Sequence, residues 1–215
     1  GIVKVFRMKK DTYVWHTIHE QNMRHRLTEA LCGYHEKYPY RYGMKKAEIH
    51  MTYMKKVKLN VFDLYVEMLS EEGALKRHQE FLQLPEFEVR KDAVYEKVLK
   101  TVQKQFEKVQ FDFQRFSEIS FGNIKREEVE DIMLLLIDED IVVKITEDIY
   151  TLKSIIEKAK EVIQNRLKEN PLITIAEVRD LLGTSRKSAK PILEYMDSIK
   201  VTKKNGTESE RVAYV

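Results

Sequence analysis

Side chains that could bind phosphate are concentrated near the C-terminal end of the chain. Thr184, Ser185, Arg186 and Lys187 stand together at the predicted start of an amphipathic helix. A helix N-terminus offers unpaired backbone N–H groups and the positive end of the helix dipole, and both attract phosphate. Residues 186–204 hold six basic and two acidic residues. This segment is therefore a candidate nucleic-acid site.

The same helix and the strand after it extend this basic pattern. Arg186 and Lys190 are four residues apart, so they share a face directed away from the predicted apolar stripe. Lys203 and Lys204 enter the following strand. Pro191 lacks a backbone N–H and predicts a bend near the helix start. A capped helix with a solvated basic face explains these residues equally well, because helix starts are commonly polar.

Motifs typical of enzymes and metal proteins are absent from the sequence. It contains neither a GxxxxGK[ST] phosphate loop nor a GxGxxG motif. Cys32 is the only cysteine, so a cysteine zinc site is excluded, and we interpret this residue as part of a helix core. His16 and His19 are predicted to lie on opposite faces of a strand, which makes a poor metal site. We expect a protein that is not an enzyme and needs no cofactor.

Composition indicates small folded domains. Of the 215 residues, 43% are apolar, and only seven are Gly and four Pro, which favours helices with short connections. The single cysteine favours a reducing compartment. Because no stretch resembles a membrane span or a signal peptide, we expect a cytoplasmic monomer without a membrane partner. A first residue other than Met favours a fragment of a longer protein.

Charge is distributed unevenly along the chain. Residues 1–58 contain 13 basic and 5 acidic residues, a net charge of +8, whereas residues 59–153 contain 13 and 21, a net charge of −8. Residues 154–215 carry +3. Local basic footprints are therefore expected rather than one uniform surface that binds polyanions.

An internal repeat predicts the fold. Four segments have the alternating apolar pattern of a β-hairpin, at residues 1–19, 73–85, 140–152 and 200–215. Amphipathic helices precede the last three hairpins, at 61–72, 125–139 and 185–199, and a further helix lies upstream in each unit, at 25–38, 92–109 and 154–168. Asn60 is the expected cap of the helix at 61–72. Thr174 and Glu177 form a predicted capping box, which Gly183 follows as a helix terminator.

Each unit therefore reads as a helix-turn-helix followed by a two-stranded wing. We predict a mainly α protein with small β-hairpin wings, built of tandem winged-helix modules in an elongated array. The expected domains are the wing of a first winged helix at 1–22, a second winged helix at 23–88, a third at 89–152 and a fourth at 153–215, which holds the candidate nucleic-acid site. The fourth should fold and bind by itself, because its apolar stripes are complete.

A long segment of the last unit resembles a known family. The sequence ITIAEVRDLLGTSRKSAKPILEYMDSIKVTKK, residues 173–204, is similar to the final winged helix of the bacterial selenocysteine-specific elongation factors, the SelB family. The most specific pieces are EVRDLLGTSRK, Pro191, the LEY-x-D run that ends at Asp197, and VTKK. A weaker similarity extends to VFDLYVEMLSEEGAL from Val61. The count of four hairpins fits the four winged helices of that family.

The resemblance implies a function. In SelB proteins the C-terminal winged helices bind the selenocysteine insertion (SECIS) hairpin of messenger RNA, which directs selenocysteine incorporation at UGA. The implied RNA-binding residues here are Arg179, Thr184, Ser185, Arg186, Lys187, Lys190, Lys203 and Lys204. The ribosome and selenocysteinyl-tRNA are implied partners of the full-length factor, as are GTP and Mg²⁺, whose binding region lies outside this chain. Lys190 and the acidic loop at 205–210 depart from the family pattern.

Two other functional classes are compatible with winged helices. One is a DNA-binding regulator whose main helix reads the major groove, but the main helices at 61–72 and 125–139 are net acidic. The other is a protein-interaction scaffold, for which the acidic stretch at 59–153 would serve as a docking surface. RNA-hairpin recognition remains the favoured interpretation because of the resemblance.

Overall fold

The computed structural model describes residues 2–7 and 12–214, so the tip of the first predicted hairpin at 8–11 lies outside the described residues. The chain divides into two compact units, Gly1–Lys91 and Asp92–Val215. The predicted tandem winged-helix architecture, mainly helical with small hairpin sheets, is confirmed in both units. The finer boundaries of the four predicted winged helices stay a prediction.

The first unit consists of a hairpin, three helices and a small sheet. Strands β1 and β2 form the antiparallel hairpin, and β3, β4 and β5 form a sheet in the order β3-β5-β4. The elements are β1 Val3–Arg7, β2 Thr12–His16, α1 Thr17–Lys37, β3 Met44–Lys45, α2 Lys46–Tyr53, α3 Leu59–Glu71, β4 Lys76–His78 and β5 Phe81–Gln83.

The first hairpin and the helices of this unit share one core. Phe6 of β1 is buried together with Leu31 of α1 and Phe62 of α3. Helix α1 is continuous across the predicted boundary between residues 22 and 23. The expected helix start at residue 25 is wrong, because the helix begins at Thr17 directly after β2. The first residues of the helix are mostly polar and have little apolar periodicity, so their sequence does not predict a helix. The start of the helix depends instead on packing of the hairpin against the core.

Three local predictions in this unit are wrong. His19 lies in helix α1 rather than on a strand, and His16 is the N-cap, with its Nδ1 accepting a hydrogen bond from the Ile18 backbone N–H. Cys32 is exposed instead of packed in the core. Helix α3 is capped by Lys58 without a side-chain hydrogen bond, and Asn60 lies inside its first turn. The strand ends three residues earlier than predicted, the cap of α3 lies two residues earlier, and α1 turns Cys32 towards solvent.

The second unit contains two helix–hairpin repeats. Strands β6 and β7 form a hairpin, and the last sheet has the order β8-β10-β9. A 3₁₀ turn, Phe116–Glu118, takes the place of a short helix in the first repeat. The other elements are α4 Ala93–Val109, α5 Arg126–Asp138, β6 Val142–Thr146, β7 Ile149–Leu152, α6 Lys153–Glu169, β8 Leu172–Thr174, α7 Ile175–Leu182, α8 Arg186–Ser198, β9 Thr202–Asn205 and β10 Thr207–Ala213.

The core of the last helix–hairpin repeat, residues 154–215, is completed by residues of the preceding repeat. Val143 of β6 is buried with Ile156 and Ile163 of α6 in one cluster, and Phe111 and Phe113 pack against the same cluster. A fully buried apolar side chain of this size contributes about 1.5–3 kcal/mol. The expectation that the apolar core of residues 154–215 is complete is therefore wrong, whereas independent folding and binding of this segment stay a prediction.

Membrane insertion has no support from the helices of the described chain. Within residues 2–7 and 12–214, no helix combines the length and the apolar character needed to cross a membrane.

Candidate nucleic-acid interface

Helix α8 is positioned by strong local signals. Thr174 and Glu177 form the predicted capping box at the start of α7, and Gly183 ends α7 in the left-handed conformation with φ of 60°. That conformation, which glycine adopts without steric cost, allows the sharp turn into α8. Ser185 is the N-cap of α8, and the helix continues through Pro191 to Ser198.

The apolar stripe of α8 fixes which of its side chains face solvent. Ala189, Ile192, Leu193 and Met196 are fully buried. Residues three and four apart share a helix face, so the basic residues on the opposite side must be exposed. This orientation puts the predicted basic face of α8 on the surface.

The basic side chains at the start of α8 are free to bind a ligand. Arg186 and Lys187 are exposed, and neither forms an ion pair with another described residue. The Lys190 Nζ lies 3.6 Å from a Glu194 carboxylate oxygen, and both side chains are about half exposed. An exposed pair of this kind is weak, so it does not prevent Lys190 from contacting a phosphate.

The two hydroxyls of the predicted site are already used. Thr184 Oγ1 donates a hydrogen bond of 2.6 Å to the Phe111 carbonyl oxygen, and Ser185 Oγ donates one of 2.9 Å to Asp112 Oδ1. Both acceptors belong to the loop after α4. The role of Thr184 and Ser185 in RNA binding stays a prediction, and in this structure their hydroxyls tie the start of α8 to the loop after α4.

Sequence analysis missed Ser188 and Asp112 as partners in this connection. Ser188 is buried, and its Oγ accepts a hydrogen bond of 3.0 Å from the Phe113 backbone N–H. Its Oγ also lies 3.4 Å from Asp112 Oδ1. An acidic side chain therefore sits beside the N-terminus of α8, where helix dipole and unpaired N–H groups favour negative charge. A separation of more than seventy residues hides such a contact from local patterns.

The wing carries the second part of the predicted site. Lys203 and Lys204 lie on β9 and are exposed. The Lys204 Nζ is 2.5 Å from a Glu208 carboxylate oxygen, and this contact lowers the pKa of Glu208. The Lys203 ammonium lies 5.9 Å from the centroid of the Tyr214 ring. Lys203 therefore has the less strongly compensated charge of the two.

A buried arginine that sequence analysis missed fixes the wing on α8. Arg211 of β10 is completely buried, and its Nε donates a hydrogen bond of 2.7 Å to Asp197 Oδ2 at the end of α8. Its Nη1 donates to the carbonyl oxygens of Glu208 and Glu210. Asp197 Oδ1 also accepts from the Thr202 hydroxyl. The only signal available from sequence was Asp197 itself, which belongs to the segment that resembles SelB.

The eight predicted residues come from three elements. Arg186, Lys187 and Lys190 lie in the first turns of α8, and Lys203 and Lys204 lie on β9. Glu208, the partner of Lys204, has its pKa lowered by Lys204 and also by the charge of Lys190, so the wing lies near the first turns of α8. Arg179 lies on α7, exposed and paired with neighbouring Asp180 at 2.6 Å.

Metal chemistry has no support at this surface. Within the described part of the chain, no three His, Cys, Asp or Glu side chains are arranged to hold a metal ion. The exposed groups of α8 and β9 are cations, which bind phosphate oxygens through charge-assisted hydrogen bonds. The chemistry available here is therefore recognition of an anion.

Comparison with known proteins agrees with this arrangement. Two family models, each described as elongation factor SelB, winged helix, match residues 165–209 and 28–84. The first match contains α7, α8, β9 and most of the basic residues considered above. The second covers most of the first compact unit.

A curated relative and two solved structures are also similar to this chain. The selenocysteine-specific elongation factor of Desulfomicrobium baculatum is 24% identical over 185 residues, which make up 85% of this chain and 29% of that protein. The crystal structure of a bacterial selenocysteine-specific elongation factor aligns with 97% of this chain and 32% of its own, at 17% identity and a TM-score of 0.52. A structure of the E. coli SelB mRNA-binding domain in complex with SECIS RNA covers 58% of this chain and 100% of its own, at 19% identity and a TM-score of 0.49.

These matches cover both compact units but less than a third of the length of the relative from D. baculatum. The alignment with the bacterial elongation factor structure agrees with the tandem winged-helix fold, and the family model at 165–209 covers the segment at residues 173–204. The chain contains two SelB-type winged-helix domains, at residues 28–84 and 165–209, and is similar over most of its length to a selenocysteine-specific elongation factor.

Proposed function

We propose that this chain is the RNA-hairpin-binding C-terminal region of a selenocysteine-specific elongation factor. It recognises the SECIS hairpin of messenger RNA and so directs selenocysteine incorporation at UGA. The observation that carries the proposal is the exposed basic face of α8, with Arg186 and Lys187 unpaired among the described residues, inside the segment that matches a SelB winged-helix model.

Recognition relies on an unpaired base of the hairpin. The deep, narrow major groove of an RNA duplex cannot be read by side chains, so a looped-out base and the phosphates beside it supply the specificity. The Arg186 guanidinium provides a planar fork for a base edge or for two phosphate oxygens. Lys187, Lys190, Lys203 and Lys204 supply charge along the strand, with little geometric demand.

The chain itself binds and does not catalyse. GTP and Mg²⁺ are used by the region of the full-length factor that lies outside it, and the ribosome and selenocysteinyl-tRNA are reached through that factor. In this proposal the chain acts in the cytoplasm as a monomer.

Titrations with three nucleic acids test the proposal. A hairpin RNA with a looped-out base, a duplex DNA and a single-stranded RNA of matched length are titrated at several salt concentrations. We expect the hairpin to bind most tightly, and its advantage to persist as salt weakens all three complexes. A preference for the duplex DNA would instead identify a DNA-binding regulator. Equal binding of all three would show a surface that lacks hairpin specificity.

A further inference from the structure

One face of helix α4 carries a row of lysines. Lys97, Lys100, Lys104 and Lys108 follow one another at spacings of three and four residues, and all four are exposed. Residues at these spacings share a face, and the row extends for about 16 Å at a rise of 1.5 Å per residue. We call these four residues the α4 lysine row. The other face of the helix is buried through Tyr95, Val98, Val102 and Phe106.

The charge of the α4 lysine row is poorly compensated. Lys97, Lys104 and Lys108 form no ion pair with any residue in the described ranges, and the Lys100 Nζ is 3.8 Å from a Glu96 carboxylate oxygen. Helix α6 of the same unit is different, because Lys153 and Lys160 each lie 3.1 Å from a carboxylate oxygen. The row is therefore a positive strip in a stretch of sequence, residues 59–153, that carries a net charge of −8.

The surface chemistry favours a nucleic acid over a protein partner. A groove of about 570 Å³ lies along the row and is lined by Ala93, Glu96, Lys97, Lys100, Thr101 and Lys104. No large apolar side chain of α4 is exposed. Protein interfaces are typically depleted of lysine and need buried apolar or aromatic anchors, and this face offers none. A phosphate backbone needs only mobile cations at intervals.

We propose that the α4 lysine row is a second RNA-binding surface, which contacts the phosphate backbone of duplex RNA without reading its sequence. It is separate from the site on α8 and the wing, and it belongs to the preceding winged helix. The duplex is either the stem of the hairpin held by α8 or another RNA segment. In both cases each lysine that replaces condensed counterions adds to the salt dependence of binding.

The test compares two triple variants of the full chain. In one, Lys97, Lys104 and Lys108 are replaced by Gln. In the control, Lys144, Lys153 and Lys160, which are paired with acidic neighbours in the same unit, are replaced by Gln. Both lose three charges, and Gln is a good helix former, so circular dichroism should show unchanged folding. Binding of duplex RNA is measured as a function of salt.

We expect the α4 variant to lower the slope of log affinity against log salt by about two to three units, since each phosphate contact adds about 0.9. The control should lower it by less than one unit. Discrimination between a hairpin and its loop mutants should stay at the parental level, because the α8 site is untouched. If the parent chain does not discriminate between the hairpin and its loop mutants, that result counts against the proposed function. The comparison of slopes between the two triple variants still tests the α4 lysine row.

Three RNAs identify the source of the duplex. If the row binds the stem of the same hairpin, the α4 variant weakens a long-stem hairpin but not a short-stem one. If it binds a separate RNA, the variant weakens a blunt duplex titrated into the complex with the short-stem hairpin. Equal slopes for the parent and the α4 variant with every RNA would overturn the proposal. So would equal losses in both triple variants, or tighter binding of an acidic polypeptide than of duplex RNA.

Discussion

Ser185 donates a hydrogen bond of 2.9 Å to Asp112, so a carboxylate from the loop after α4 occupies the N-terminal end of the proposed recognition helix. The two residues are 73 positions apart in the chain. A helix N-terminus favours any anion, and RNA phosphate would compete with this carboxylate for the same environment. The position of Asp112 therefore bears directly on the affinity of α8 for RNA.

Replacement of Asp112 by Asn should strengthen hairpin binding about twofold to fivefold at low salt. Asn keeps a hydrogen-bond acceptor for Ser185 but removes the competing charge, and a charge at a helix end contributes about 0.3–1 kcal/mol. Asp148→Asn is the matched control, because Asp148 also accepts a hydrogen bond from a serine, Ser117, but away from α8. Equal affinities for both variants and the parent would show that Asp112 does not compete with RNA.

Arg186 and Lys204 should respond differently to substitution. Arg186→Lys keeps the charge but loses the planar fork, so we expect a loss of roughly 1–3 kcal/mol, mostly as discrimination between loop variants. Lys204→Ala should weaken all RNAs about equally and reduce the salt slope by about one unit. Titrations of the hairpin and its loop mutants measure both effects. If the Arg186→Lys variant discriminates between the hairpin and its loop mutants as well as the parent does, Arg186 is only a solvated helix residue.

The buried ion pair between Asp197 and Arg211 should be critical for stability. Asp197→Ala leaves the Arg211 guanidinium buried without its carboxylate, which costs about 3–5 kcal/mol of unfolding free energy. Glu130→Ala, which breaks the exposed pair with Arg126 in the same unit, should cost less than about 1 kcal/mol. Denaturant unfolding followed by circular dichroism measures both.

Trp15 provides an internal control for that experiment. It is the only tryptophan of the chain and packs against the Phe6 and Tyr65 rings in the first unit. Its fluorescence transition should therefore be unchanged in Asp197→Ala. A shift of the Trp15 transition as large as that of the circular dichroism signal would contradict this assignment of the effect to the second unit.

His35 should make the first unit sensitive to acid. Burial lowers the pKa of His35 to about 4 from 6.5. Its ring stacks on Phe87 at 3.6 Å, and its Nε2 accepts a hydrogen bond from the Leu84 backbone N–H. The folded state holds the neutral ring, so this stability is complete above pH 6.5 and is lost as the pH falls towards 4. One pKa unit corresponds to about 1.4 kcal/mol, so the loss approaches about 3 kcal/mol.

Denaturation followed by Trp15 fluorescence at several pH values measures this effect. His35→Gln, which cannot be protonated, should flatten the pH dependence between 6.5 and 4. His25→Gln is the control, because the His25 side chain is 73% exposed, and this variant should keep the parental dependence. The assignment to His35 would be wrong if His35→Gln retained the full loss of stability.

The basic N-terminal stretch should raise RNA affinity through only some of its lysines. Lys45 and Lys46 are held by Glu80 and Asp63 at 2.8 and 2.9 Å. Lys55 and Lys56 are exposed at the tip of a turn and form no ion pair within the described residues. Replacement of Lys55 and Lys56 by Gln should lower the salt slope by about one to two units. The matched Lys45 and Lys46 variant should change it less, and neither should alter loop discrimination.

Lys58 lies in the same basic stretch but differs from both pairs. Its ammonium lies 5.6 Å from the centroid of the Tyr13 ring. A cation over an aromatic face is stabilised by about 0.5–1 kcal/mol at an exposed site, so Lys58→Gln should also affect packing of the first hairpin. Comparison of its unfolding free energy with that of Lys55→Gln would reveal this. If both variants unfold alike, the contact with Tyr13 contributes nothing.

Features that depend on neighbours in the chain could be predicted from sequence. The four hairpins, the capping box at Thr174 and Glu177 and the terminator Gly183 follow from local periodicity and backbone preferences. The exposed face of α8 follows from the spacing of its buried stripe. The similarity to SelB winged helices could also be recognised, because one unbroken segment at residues 173–204 carries it.

Contacts between distant segments were decided only by the tertiary structure. Asp112 meets Ser185, Arg211 is buried beneath the wing, and Val143 completes the core of the last module. An arginine is ordinarily exposed, and nothing in the residues around position 211 indicates burial. The turn after α8 brings Arg211 near its carboxylate partner, Asp197. Val143 packs against the apolar face of α6 because the two surfaces fit together and exclude water. Such pairings depend on how whole elements pack, which local patterns do not encode.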